Sequence, residues 1–224
     1  MSAVNRVLPW LLLLKAIDVM GSSIVLFDSE LLAGALTAAL VVAALIWLRA
    51  PRQGAAISAI VLLVMAIGPM YRNHVAFLAW IAVLTAVARD EQEHRLLLTV
   101  HLSVVYAFAT LAKLNPMWLS GEALEAQSAM EFGMPLPLLA WLTVIVEGVL
   151  AVAVWRPNRA WLAVALPTHV AFVIGMGGDW LTVLRLTVFN AAILAVWYAL
   201  VRTREGSFDA PVLLPLAGVR SHVG

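Results

Sequence analysis

Seven ionisable side chains sit inside stretches that are otherwise almost wholly apolar: Lys15, Asp18, His101, Lys113, Glu147, His169 and Arg185. An eighth, His74, opens the apolar stretch "HVAFLAW". A lysine between apolar walls is a candidate base, because desolvation disfavours the ammonium and leaves an amine able to take a proton. The plainer reading of Lys113 is a side chain that snorkels to an interface. His74 is a candidate acid, base or hydrogen-bond partner, or a surface histidine in a turn. Glu147 and His169 lie near the middle of consecutive apolar segments joined by a short loop. A carboxylate–imidazole hydrogen bond between them would orient the ring and fix its tautomer, either as structural glue or in a pocket. Pro167, two residues before His169, frees a backbone carbonyl, which is tolerated where a helix is buried in protein or lines a cavity.

The elements that carry these groups follow from composition. Of 224 residues, 63% are hydrophobic and 12% charged, and the mean hydropathy is +0.97. Soluble domains carry roughly 25% charged residues, so the expected solvent is lipid. The expectation is an all-α integral membrane protein, a polytopic bundle of about eight transmembrane helices. The segments are 7–27, 31–49, 54–71, 74–89, 95–113, 135–155, 159–177 and 180–202, the fourth being the shortest. One transmembrane domain, 1–202, precedes a C-terminal tail, 203–224. Residues 1–30 do not read as a cleavable signal peptide, because Lys15 and Asp18 interrupt the apolar run. With no cysteine, disulfides and thiolate metal sites are excluded, and the net charge of +1 provides no basic field for nucleic acid.

Charge sets the expected orientation. With the N-terminus cytoplasmic, Arg6, Arg49, Arg52, Arg89, Arg95, Arg156, Arg159, Arg202, Arg204 and Arg220 all fall inside. Only Arg72 and Lys113 fall at the outer side. Both termini are then cytoplasmic, and His74 and Lys113 share the outer boundary. Among the other buried charges, Lys15 and Asp18 are three apart and can pair on one helix. Arg185 is within snorkelling reach of the outer interface, with Asp179 as a partner, and His101 reads as a packing histidine near the cytoplasmic end. Tyr106, Thr110 and Lys113 share one helical face.

The stretch "YAFATLAKLNPMWLSG", residues 106–121, resembles the signature of the membrane domain shared by vitamin K-dependent gamma-carboxylases and bacterial HTTM proteins. In that pattern a Tyr leads by seven residues to Lys-Leu, then a Trp four residues on and a Gly three further, as Tyr106, Lys113, Leu114, Trp118 and Gly121 do here. Asn73 and His74 resemble the family's Asn-His pair at a helix start, and Glu147 through His169 resemble its later glutamate and histidine helices. The chain departs from the carboxylases in having Ala112 before Lys113, Asn115 and Met117 where they have Asp, and too little length for their soluble substrate-binding part.

The resemblance implies an HTTM-like domain with Lys113 as a base toward a reduced isoprenoid quinone of vitamin K type and His74 assisting. It implies Asn73, Tyr106, Thr110, Trp118, Glu147 and His169 as residues of the quinol pocket. The function expected is an enzyme of a bacterial inner membrane acting on a quinol or other lipid-soluble substrate at the outer leaflet. Membrane lipids, and a membrane or redox protein, are the further partners expected. The alternative is a non-catalytic accessory protein serving maturation, immunity or electron transfer, with Lys113 and Trp118 as interfacial anchors. A transporter is disfavoured by the lack of an inverted repeat. No metal is expected, because the histidines lie at different depths and share no helix at ligand spacing.

Overall fold

The computed structural model describes residues 3–27, 29–67, 73–127, 133–175 and 180–205. Ten helices account for nearly all of them: α1 (Ala3–Phe27), α2 (Glu30–Arg49), α3 (Pro51–Ile67), α4 (Asn73–Val87), α5 (Glu91–Lys113), α6 (Pro116–Leu119), α7 (Glu122–Gln127), α8 (Leu136–Ala153), α9 (Arg159–Gly175) and α10 (Trp180–Glu205). No strand occurs among the described residues. The eight longer helices coincide with the eight apolar segments of the sequence. Four of them, α2, α5, α8 and α10, are long and apolar enough to cross a membrane, and α3, α4 and α9 are shorter apolar helices. Between the fifth and sixth apolar segments, the stretch 114–134 carries the short helices α6 and α7. The end of α10 extends past residue 202, and the rest of the expected tail lies outside the described residues.

Side-chain chemistry sets the helix ends. Ser29 and Asp90 cap α2 and α5 by accepting from the backbone N–H groups of Leu32 and Glu93. The cap at Asp90 starts α5 four residues earlier than the apolar run alone suggests, because Glu91 and Glu93 suit the positive end of the helix dipole.

Consecutive helices pack as neighbours from α1 to α4, and α10 closes the bundle by touching α1, α4, α5 and α9. Helix α8 packs mainly on α5. Each helix turns one stripe inward, as Ala33, Leu36, Leu40, Ala43, Ala44 and Trp47 do on α2. The opposite faces are apolar too: Leu96, Val100, Val104, Phe108 and Leu111 run along the exposed side of α5. Meanwhile Lys15, Asp18, His94, His169 and Asn190 are buried. A soluble monomer rarely exposes such apolar faces, whereas lipid solvates them.

The buried charges are satisfied in an arrangement that spacing alone only half anticipates. Lys15 bonds Asp18 on α1, as expected. Arg185 has a partner that its position on the chain did not suggest. It reaches from α10 to the other oxygen of Asp18, with Nη2 at 3.0 Å. The reason is the packing of α10 on α1, which brings a carboxylate with one oxygen to spare within reach. The expected partner, Asp179, lies outside the described residues. His101 packs with its ring stacked on Phe77, centroids 5.0 Å apart, and its buried Nε2 has no hydrogen-bond partner among the described residues.

Candidate functional site

The site begins where α5 ends. Asn115 caps the four-residue α6 by accepting from the Trp118 N–H at 3.0 Å, and Pro116 at the first helical position suits the cap. The Asn115 amide also donates to the Ala112 carbonyl at 2.7 Å, tying α6 to the last turn of α5. This double attachment sets Trp118 beside Lys113, whose ammonium lies 5.2 Å from the centre of the indole ring. Gly121 then takes φ +90°, open to glycine at little cost. A Cβ there would come 2.6 Å from that of Leu136, so the same glycine lets α7 return close against α8.

Trp118 packs with Ala123, Leu124, Ala140 and Val144 in a small apolar cluster, with Leu119, Leu136 and Leu139 around it. Its indole N–H is buried and has no hydrogen-bond partner among the described residues. An unmade bond of this kind costs about 1–3 kcal/mol, and an acceptor supplied from outside the chain would recover it.

Antiparallel α5 and α8 meet along their length. Ser103 donates to the Ala151 carbonyl at 2.7 Å, and Thr110 lies against Gly148. At the near end both oxygens of Glu147 accept from the Lys113 ammonium, and both side chains are mostly buried. The Thr110 hydroxyl donates to the Tyr106 carbonyl at 2.9 Å and turns its methyl to Gly148.

One expectation is corrected here. Glu147 does not hydrogen-bond His169. Its carboxylate goes to Lys113, because α8 faces α5 along its length and touches α9 only slightly. His169 points instead toward α5 and α10. Its Nε2 lies 2.6 Å from the Tyr106 hydroxyl and its Nδ1 2.5 Å from Asn190 Oδ1. The indole N–H of Trp197 donates to the Tyr106 oxygen at 3.0 Å. Two polar units therefore share one face of α5, two turns apart: Lys113–Glu147, and the Tyr106–His169 chain.

His74 is half-buried at the start of α4, at the same end of the bundle as Lys113, and no hydrogen bond joins the two. Asn73 is the first residue of α4, and its side chain lies outside the described residues. Three contributors were not foreseen: Asn115, Asn190 and Trp197. The Asn-Pro start of α6 is a readable cap signal, and Asn190 is a polar residue inside a long apolar helix. Nothing in the sequence singles out Trp197 among nine tryptophans.

Compared with known proteins, the chain matches no protein-family model, no curated protein and no solved structure.

Proposed function

We propose that the chain is an HTTM-type integral-membrane enzyme that acts on a quinol or another lipid-soluble substrate at the outer leaflet of a bacterial inner membrane. In this reading α1–α5 and α8–α10 are eight spans, both termini are cytoplasmic, and Lys113 lies near the outer face. The ten-to-two distribution of basic residues and the apolar outer faces of the helices support it.

The observation that carries the reading is the grouping of Lys113, Glu147 and Trp118: a proton-bearing pair beside an apolar cluster in which, among the described residues, the Trp118 N–H has no acceptor. An isoprenoid quinol fits that chemistry, since its ring and tail suit apolar walls and its oxygens can accept from the Trp118 N–H. A bound quinol supplies two protons to the chain and two electrons to an external acceptor such as dioxygen. The residues supply the proton handling. Lys113 cannot act as a lone base while its ammonium is held by Glu147; the pair acts together. A carboxylate oxygen takes one ammonium proton, and the freed amine then takes the next from the substrate. His74, at the same end of the bundle, is the orienting or acid/base partner in this reading.

Lipid extracted from the purified protein and identified by mass spectrometry tests the substrate class. An isoprenoid quinone enriched over bulk membrane, and depleted in Trp118→Phe, is expected. Bulk lipid alone in both would overturn the quinol.

A second reading has its own observation. Both oxygens of Glu147 are used by Lys113, so the pair also serves as a brace between α5 and α8 in an accessory protein without chemistry. Lys113→Arg keeps a brace but removes an amine that can give up its proton.

A further inference from the structure

The buried chain Trp197–Tyr106–His169–Asn190 has one arrangement of protons when every group in it is neutral. The Asn190 Nδ2 donates to the Leu186 carbonyl, one turn earlier in α10, at 2.7 Å. The amide cannot be turned over, since its oxygen would then face a carbonyl oxygen. Asn190 Oδ1 therefore faces His169 Nδ1, and that nitrogen must carry a hydrogen. A neutral ring protonated at Nδ1 has its lone pair at Nε2. At the other end an indole can only donate, so Trp197 gives its hydrogen to the Tyr106 oxygen. The phenol has one hydrogen, and it goes to His169 Nε2.

Only one proton in this chain has two places to be. On Tyr106 it leaves a phenol and a neutral imidazole. On His169 Nε2 it leaves a phenolate, which keeps the Trp197 N–H, and an imidazolium, which keeps the Asn190 oxygen. The O–H bond breaks, the N–H bond forms, and no other group has to turn. The proton can go no further, because an indole N–H cannot accept one and a side-chain amide does not release one. All four residues are buried. Glu147 lies within electrostatic range of Tyr106, and Lys113 within range of His169, so the charge on the ion pair bears on where this proton sits.

We propose that Tyr106 and His169 form a closed proton-holding pair beside the Lys113–Glu147 ion pair, with Asn190 and Trp197 as its positioning residues. Its part in turnover rests on the reading given above; its proton positions do not. The test is nitrogen-15 NMR of the full chain in lipid, labelled at histidine, with His169 assigned by its loss in His169→Gln. The expected ring is neutral, with hydrogen on Nδ1 and a hydrogen-bonded lone pair on Nε2. Asn190→Asp sets a carboxylate against Nδ1, and the expected result is a ring protonated at both nitrogens. Asn190→Leu should lose the single tautomer, and Trp197→Phe should keep it. A wild-type ring with hydrogen on Nε2 alone would overturn the proposal. So would an unchanged His169 signal in both Asn190 variants, and if the leucine variant does not fold, the wild-type and aspartate spectra still decide. These signals are read without substrate, so their failure leaves the quinol reading standing, and a failed quinol search leaves them standing.

Discussion

At the scale of single residues, the pairing of Lys113 with Glu147 is the contact on which both local stability and the proposed chemistry rest. Removing one member of a buried pair strands the other charge, at about 3–5 kcal/mol. Lys113→Gln and Glu147→Gln should each lower thermal stability in detergent, and the double variant should be far less damaged than the two losses summed. Glu147→Gln with His169→Gln should instead show much weaker coupling, limited to the electrostatic effect across the two units, since each residue has its own hydrogen-bond partners. Strong coupling in the second cycle would contradict the arrangement. The ionisable residues themselves were legible in the sequence, because charge inside apolar runs stands out. Their partners were not. Hydropathy gives depth along a helix, but a partner depends on how the helix is rotated and on which neighbour it faces. For α8 that neighbour is α5, across the connection 114–134, rather than the next helix, α9.

At the scale of elements, close approach is decided by small residues and caps. A Cβ on Gly54 would lie 2.2 Å from the Trp47 Cα, so glycine is what lets α3 fold back against α2. Gly54→Ala should destabilise that hairpin by about 1–3 kcal/mol or more, as overpacking does. Gly34, on the exposed face of α2, has nothing within 4 Å, and Gly34→Ala should be neutral or gain up to about 1 kcal/mol of helix propensity. Thermal melts of the two variants side by side check both, and equal melts would refute the close contact. At the other end of the bundle, Asn115→Ala removes the cap on α6 and should cost about 1 kcal/mol. It should also free Trp118 from its place beside Lys113, readable as a change in lipid retained on purification. Helix positions were legible from apolar length, but α6 and α7 were not, because helices this short are set by caps and tertiary contact rather than by periodicity.

At the scale of the whole molecule, the inverted polarity of the fold, with charge inside and apolar faces outside, calls for lipid as solvent. The absence of cysteine makes topology directly measurable. With single cysteines placed at Ser2, Ser120 and Ser207, an impermeant thiol reagent added to intact cells should label only Ser120→Cys. Labelling of Ser2→Cys or Ser207→Cys would reverse the orientation and move Lys113 to the cytoplasmic side. The most direct test of the site is turnover of an isoprenoid quinol by the full chain in proteoliposomes, followed by chromatographic loss of the quinol, for wild type, Lys113→Arg and Glu147→Gln. With dissolved dioxygen as the electron acceptor, and loss in protein-free liposomes subtracted, wild type should oxidise the quinol, and each variant should be slower by about a hundredfold or more, as expected when a proton-transfer group is lost. Equal consumption by wild type and both variants would contradict a proton-transfer role for the pair and leave it as a brace between α5 and α8.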